Sequence, residues 1–206
     1  RQGLAVQLQQ SPFMTVLSDS QVQRTLKMMG RRTAALPGDV AAEVCKRTSS
    51  AAVIEGSIAP LGSRYVIGLK ATRCADDAVI DQEQSQVDRK EDVLHGLGQL
   101  ATAFRQKSGE SLASQQRFAT PLDEATTSSL EALKAYSAGR RANFVSGPAA
   151  AIPLLKRAVE IDPNFAGAWS LLGLSYANVI GSSAQSIDAA TRSYQLRERT
   201  TDHDVI

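Results

Sequence analysis

The sequence has few of the residue types that build reactive sites. Its 206 residues include two histidines and two cysteines. The cysteines, Cys45 and Cys74, lie in no CxxC motif and beside no histidine, which excludes the usual zinc and thioredoxin-type motifs. The residues leave two alternatives open for this pair, which are two buried thiols or one disulfide.

Sequence signatures of catalysis are also missing. We find no GxGxxG, GxxxxGK[ST], HExxH or GxSxG motif, and no serine or threonine three residues before a lysine. His95 falls beside the apolar stripe of a predicted helix, and His203 lies in the stretch TDHDV, which offers no third element for a metal. We therefore predict no enzyme activity, no catalytic residue, no metal site and no cofactor.

Long apolar runs and strong charge of one sign are absent too. No run approaches the ~20 residues that span a bilayer, so the chain contains no predicted membrane segment. The net charge is +2, with basic residues in short pairs rather than a clustered face, so nucleic acid is not a predicted partner. Hydrophobic residues make up 43%, which suffices for the core of one domain or two small ones.

The first half of the chain mixes helix and strand patterns. Apolar residues at helical spacing predict helices over 2–10, 20–29, 37–47 and 88–108. Short β-rich runs between turn residues predict strands over 13–17, 52–59, 64–72 and 79–87, the last three as a meander. Residues 1–112 are thus predicted to form an α+β domain, a small and mostly antiparallel sheet covered by helices on one face.

The second half reads as all-helical after a linker. Residues 113–128 are rich in Ser, Thr and Gln with little periodicity, which is typical of a linker. Residues 129–206 form the second predicted domain, with helices near 130–144, 148–160, 165–179 and 183–199.

These helices carry an internal repeat. Trp169, Leu172, Gly173 and Tyr176 have the spacing of the first helix of the tetratricopeptide repeat, a helix–turn–helix of 34 residues. An earlier copy places Gly139 at the glycine position, with the second helix and its turn at Ala151, Leu155, Ala158 and Pro163. Small residues are required where two helices touch, and the large residues fill the spaces between. The alternative is an ordinary helical hairpin that matches by chance.

The second copy is less regular after Tyr176. Its second-helix positions are predicted at Ser186, Ala190 and Ser193, one residue late, which indicates an insertion near residues 181–183. Two repeats are fewer than the three that such arrays need. Either the first domain caps them or further repeats follow.

The first helix of each repeat lines the concave groove of this architecture. A protein or peptide partner is therefore predicted to bind there, because Tyr and Arg are good anchors in general. The predicted groove residues are Tyr136, Arg140, Asn143, Phe144, Ser170, Leu174 and Asn178.

Several segments together resemble one family. They are GLAVQLQQSPF, LSDSQVQRTLKMMGR, VCKRTSSAAVIEGSIAPLGSRYVIGLKATRC, KEDVL and TPLDEATTSSLEALKAYS. The family is the carboxy-terminal region of bacterial, notably acidobacterial, eukaryotic-like serine/threonine protein kinases and related regulators. In it, a domain like the amino-terminal domain of the translocation protein TolB precedes tetratricopeptide repeats.

The resemblance implies further properties. The strand that opens the TolB-like domain in the family is missing, and the family's array continues further, so we expect a fragment of a longer chain. None of the kinase motifs is present in these residues. The region is expected outside the cytoplasm, with a Cys45–Cys74 disulfide; a cytoplasmic location is the alternative.

The expected function is a non-catalytic sensing or scaffolding region of a signalling protein. One alternative is an accessory region that orients or dimerises a kinase, which a flat, self-complementary apolar surface would favour. Another is a TolB-like cell-envelope interaction module unrelated to a kinase.

Overall fold

The computed structural model describes residues 2–31, 36–118 and 120–199. Within them, helices accompany a three-stranded antiparallel sheet. The predicted α+β class is confirmed at this level. The chain divides into two compact units, with the division between residues 119 and 120.

The first unit begins with three helices, α1 (Gln2–Gln9), α2 (Asp19–Met28) and α3 (Gly38–Arg47). Helix α2 starts at a capping box, in which the N–H of Gln21 donates to the Ser18 hydroxyl and the N–H of Ser18 donates to the Gln21 side chain. Their apolar faces form a small core of Val22, Leu26, Val40 and Val44.

The sheet is the predicted meander of β1 (Ala52–Leu61), β2 (Arg64–Arg73) and β3 (Val79–Val87), in that order. Helix α4 (Val93–Lys107), preceded by a 3-10 turn over Lys90–Asp92, packs on β2 and β3. Close approach requires Gly96 here, because a Cβ at that position would lie 2.8 Å from Cδ1 of Ile67.

Helices contact both faces of this sheet, not one face as predicted. A Cβ on Gly56 would lie 3.3 Å from Leu4 of α1, and Gly56 pairs with Leu69, whose buried side chain lies on the same face as Ile67. A Cβ on Gly38 of α3 would lie 3.8 Å from Glu55, which points to the opposite face because successive side chains alternate. The short strands leave each face small enough for one or two helices to cover.

Residues 13–17 do not form the predicted strand. Phe13 is 72% exposed, and the chain enters the N-cap of α2 at Ser18 immediately afterwards. A short apolar run becomes a strand when it finds a ladder partner, and the described sheet contains β1, β2 and β3 alone.

The predicted linker, residues 113–128, contains two short helices, α5 (Leu112–Phe118) and α6 (Leu122–Ala125). Gln115 of α5 is 4% exposed; its amide donates to the carbonyl of Thr102 (3.2 Å) and accepts from Gln106 (3.0 Å). The polar composition that resembles a linker is thus satisfied by buried hydrogen bonds. Helix α5 belongs to the first unit and α6 to the second.

The second unit continues with α7 (Leu130–Ser146), α8 (Pro148–Ile161), α9 (Ala166–Ile180) and α10 (Ala184–Gln195), then a 3-10 turn over Arg197–Arg199. Each of these α-helices packs against the next, and α7 also contacts α9. Ser129 caps α7 by accepting the N–H of Ala132 at 3.2 Å, and Ser183 caps α10 with Ser186.

Candidate functional site

The glycine of the first repeat copy lies where α7 and α8 come closest. A Cβ on Gly139 would lie 2.8 Å from Cδ2 of Leu155, and Leu155 is fully buried. Ala151 and Ala158, one turn to either side of Leu155, are also fully buried. Small residues therefore permit the close packing of these two helices, in the places where the repeat pattern predicts them.

The glycine of the second copy lies in the corresponding place between α9 and α10. A Cβ on Gly173 would lie 3.2 Å from the backbone nitrogen of Ala190 and 3.4 Å from Cβ of Ala189. Of the three residues predicted to face α9, Ser186 is buried, Ser193 is half-buried and Ala190 is exposed. The buried residue at the middle position is Ala189, because the turn of α10 places it, and not Ala190, towards α9.

Trp169 and Tyr176 are half-buried, whereas Leu172 between them is 3% exposed. The indole N–H of Trp169 donates to the carbonyl of Pro163 at 2.9 Å, so the tryptophan anchors the turn that precedes α9. The Asp162 side chain orders the same turn by accepting the N–H of Asn164 and the hydroxyl of the buried Thr127. Sequence reasoning missed this role of Thr127.

Tyr136, predicted as a groove anchor, is a core residue. Its side chain is 5% exposed, and its ring packs against Phe165 with the centroids 4.7 Å apart. The guanidinium of Arg140 lies 5.9 Å from the centre of the Tyr136 ring. Tyr136 thus supports the groove surface from below and is not part of its accessible area.

The other predicted groove residues are accessible to different degrees. Phe144 and Leu174 are 42% and 48% exposed, and Asn178 is exposed. Arg140, Asn143 and Ser170 are half-buried. Because Arg140 and Leu174, and likewise Phe144 and Asn178, are one repeat of 34 residues apart, they occupy equivalent faces of α7 and α9.

A second concave surface lies between α8, α9 and α10. It is a cleft of about 230 Å³ whose floor is formed by Val159, Trp169, Leu172, Tyr176 and Ala189. Sequence reasoning treated Trp169 and Tyr176 as packing residues alone. The signal that was available is Ala189, a small residue at the position that Leu155 occupies in the first copy.

The first unit contains a buried ion pair. Arg105 and Glu110, each with a side chain 1% exposed, make two charge-assisted hydrogen bonds of 2.7 Å. Arg105 also donates to the carbonyl of Gln7 at 3.4 Å, and Ser114 donates to Glu110. The hydrogen bonds from Arg105 lower the pKa of Glu110 to about 2. No concave surface adjoins the pair in the described cavities, so its position indicates a structural role.

In the structure, Cys45 and Cys74 form a disulfide with their Cα atoms 6.0 Å apart. The bond joins the end of α3 to the residue after β2. Among the described residues, no group of three His, Cys, Asp or Glu side chains is arranged to hold a metal ion, and no helix has the length and apolar character to cross a membrane. His203 lies outside the described residues.

Comparison with known proteins returned no relative. No protein-family model matches the chain, and neither curated proteins nor solved structures give a match.

Proposed function

We propose that the second unit is a pair of tetratricopeptide-like repeats that binds a segment of a protein partner along the face shared by α7 and α9. The chain would then be a non-catalytic interaction region of a bacterial signalling protein. The supporting observation is that equivalent faces of α7 and α9 leave Phe144 and Leu174 about half exposed on a surface that is otherwise well packed.

The chemistry of this face suits a peptide. Phe144 and Leu174 offer apolar contact area, and the side-chain amides of Asn143 and Asn178 can both donate to and accept from a peptide backbone. Arg140, which lies over the Tyr136 ring, supplies a positioned cation. Helix α9 itself carries no charged residue, so its contribution to the face is apolar and uncharged.

The test uses a displayed library of short random peptides selected on the full chain. We expect the double variant Phe144→Ala/Leu174→Ala to weaken the selected peptides by about tenfold or more, because truncation of central apolar anchors costs more than ~1 kcal/mol. Val145→Ala is the matched control, since Val145 is 50% exposed on the same helix but is turned away from Phe144 by one residue. Equal affinity of the double variant and the wild type would refute the proposed groove.

One observation favours the alternative of an oligomerisation region. Ile187 and Tyr194, seven residues apart on α10, are 58% and 68% exposed and lie on one face of the helix. The corresponding residues of α8, 35 positions earlier, are Ile152 and Val159, which are half-buried and buried. If light scattering finds the chain monomeric at high concentration, this alternative is excluded and the groove proposal stands alone.

A further inference from the structure

The cleft between α8, α9 and α10 is distinct from the groove proposed above, since no residue of α7 lines it. Its floor is apolar and includes two aromatic rings, those of Trp169 and Tyr176, both half-buried. Aromatic rings with one exposed face are frequent anchors at binding surfaces, because they gain area without a large loss of side-chain entropy.

The cleft exists because the two repeat copies differ at one position. In the first copy, Leu155 fills the space beside Gly139. In the second copy, Gly173 keeps the corresponding space open, but the residue one repeat after Leu155 is Ala189, which is too small to fill it. A space of about 230 Å³ that is open to solvent therefore remains against Leu172 and Tyr176. Its size suits one bulky apolar side chain with part of its backbone.

The rim of the cleft carries more negative than positive charge. Asp188 and Glu160 contribute two carboxylates, and Lys156 contributes one ammonium group. Glu160 is shared with Arg157 at 3.7 Å, so Asp188 has the larger influence on a bound group. A segment with a basic residue next to its apolar anchor complements this rim.

We propose that the cleft binds a bulky apolar side chain of a partner peptide, next to a lysine or arginine that lies against Asp188. The side chain occupies the space that Ala189 leaves open, and it stacks on Trp169 and Tyr176. This site is separate from the groove on α7 and α9, so either one can fail while the other stands.

The experiment exploits Trp169, the single tryptophan of the chain, which lines the cleft. A displayed library of short random peptides is selected on the full chain and depleted on the variant Ala189→Leu. The peptides that survive are synthesised and titrated while the emission of Trp169 is recorded. Ala189→Leu fills the cleft from inside, and a rise in its melting temperature shows that the added side chain packs there without loss of the fold. Ala190→Leu, the same change at the exposed neighbouring position, is the matched control.

We expect the surviving peptides to share an apolar residue beside a lysine or arginine and to change the emission of Trp169. Their affinity should fall by about tenfold or more in Ala189→Leu, and by less than about twofold in Ala190→Leu. Asp188→Lys should weaken the same peptides, and it should not weaken versions in which the basic residue is replaced by norleucine. The proposal is overturned if no peptide distinguishes the wild type from Ala189→Leu, or if the surviving peptides leave the Trp169 emission unchanged. It is also overturned if Ala190→Leu weakens them equally. Because the groove variant Phe144→Ala/Leu174→Ala leaves this cleft intact, it should bind these peptides as the wild type does.

Discussion

Leu155 packs into the space that the absent side chain of Gly139 leaves, and a Cβ on Gly139 would lie 2.8 Å from its Cδ2 atom. Both residues are buried, and they lie at the closest point between α7 and α8. This contact determines how near the two helices come, and so it controls the packing that supports the groove surface.

We predict that Gly139→Ala destabilises the second unit by about 1–3 kcal/mol. Alanine is a better helix former than glycine by about 1 kcal/mol, but overpacking against Leu155 costs more than this gain. Chemical unfolding measured by circular dichroism gives the change in the free energy of unfolding.

The matched control is Gly167→Ala in α9. There a Cβ would lie 3.6 Å from both Phe165 and Tyr136, an ordinary contact distance, so the same substitution should be neutral or slightly stabilising. If both variants had the same stability, the close approach at Gly139 would not limit the packing of the helices.

The Arg105–Glu110 pair predicts how the stability of the first unit depends on pH. The pKa of Glu110 is lowered from 4.5 to about 2 by its hydrogen bonds with Arg105. Because the folded-state pKa is the lower one, the stabilisation is fully present above about pH 4.5 and is lost as the pH falls towards 2. Its size is about 3 kcal/mol. Unfolding curves at pH 7, 4 and 3 should show this loss, and Glu110→Gln should remove most of that pH dependence.

Removal of one partner tests the same pair at neutral pH. Arg105→Met leaves a buried carboxylate without its cation and should cost about 3–5 kcal/mol, whereas the double variant Arg105→Met/Glu110→Leu should cost less. Arg89→Met is the control, because its ion pair with Asp92 is exposed and should contribute under ~1 kcal/mol. A double variant as unstable as Arg105→Met would show that lost packing, and not the unpaired charge, determines the effect.

The Cys45–Cys74 bond is tested by mass and by stability. We expect the intact mass of the oxidised protein to be two hydrogens below that of the reduced protein. The variant Cys45→Ala/Cys74→Ala should lower the free energy of unfolding by roughly 3 kcal/mol, because the crosslink restricts the unfolded chain. An unchanged mass after reduction would mean that the two thiols are free in solution.

The sequence predicted much of the local structure correctly. The three meander strands and the four long helices of the second unit were predicted within a few residues of their ends, because their apolar residues recur with clear periods of two or 3.6. The close approaches at Gly139 and Gly173 were also predicted, since a pair of equally spaced glycines indicates a packing constraint.

Other features depend on contacts that no local pattern encodes. Residues 13–17 have strand-like composition, yet no neighbouring strand is available to pair with them. Residues 112–118 have linker-like composition, yet Gln115 finds buried partners in α4. Tyr136 has the helical position of a groove residue, yet Phe165, 29 residues later, covers its ring.

The sequence by itself determined the periodicity of the helices and strands, the order of the elements and the places where helices must come close. The tertiary structure alone decided which side chains remain accessible. Whether a Tyr136 is covered or a Trp169 is left half open depends on the volume of residues distant in the chain, such as Phe165 and Ala189. Close packing in three dimensions sets these volumes against one another, and a periodic pattern carries no information on that sum.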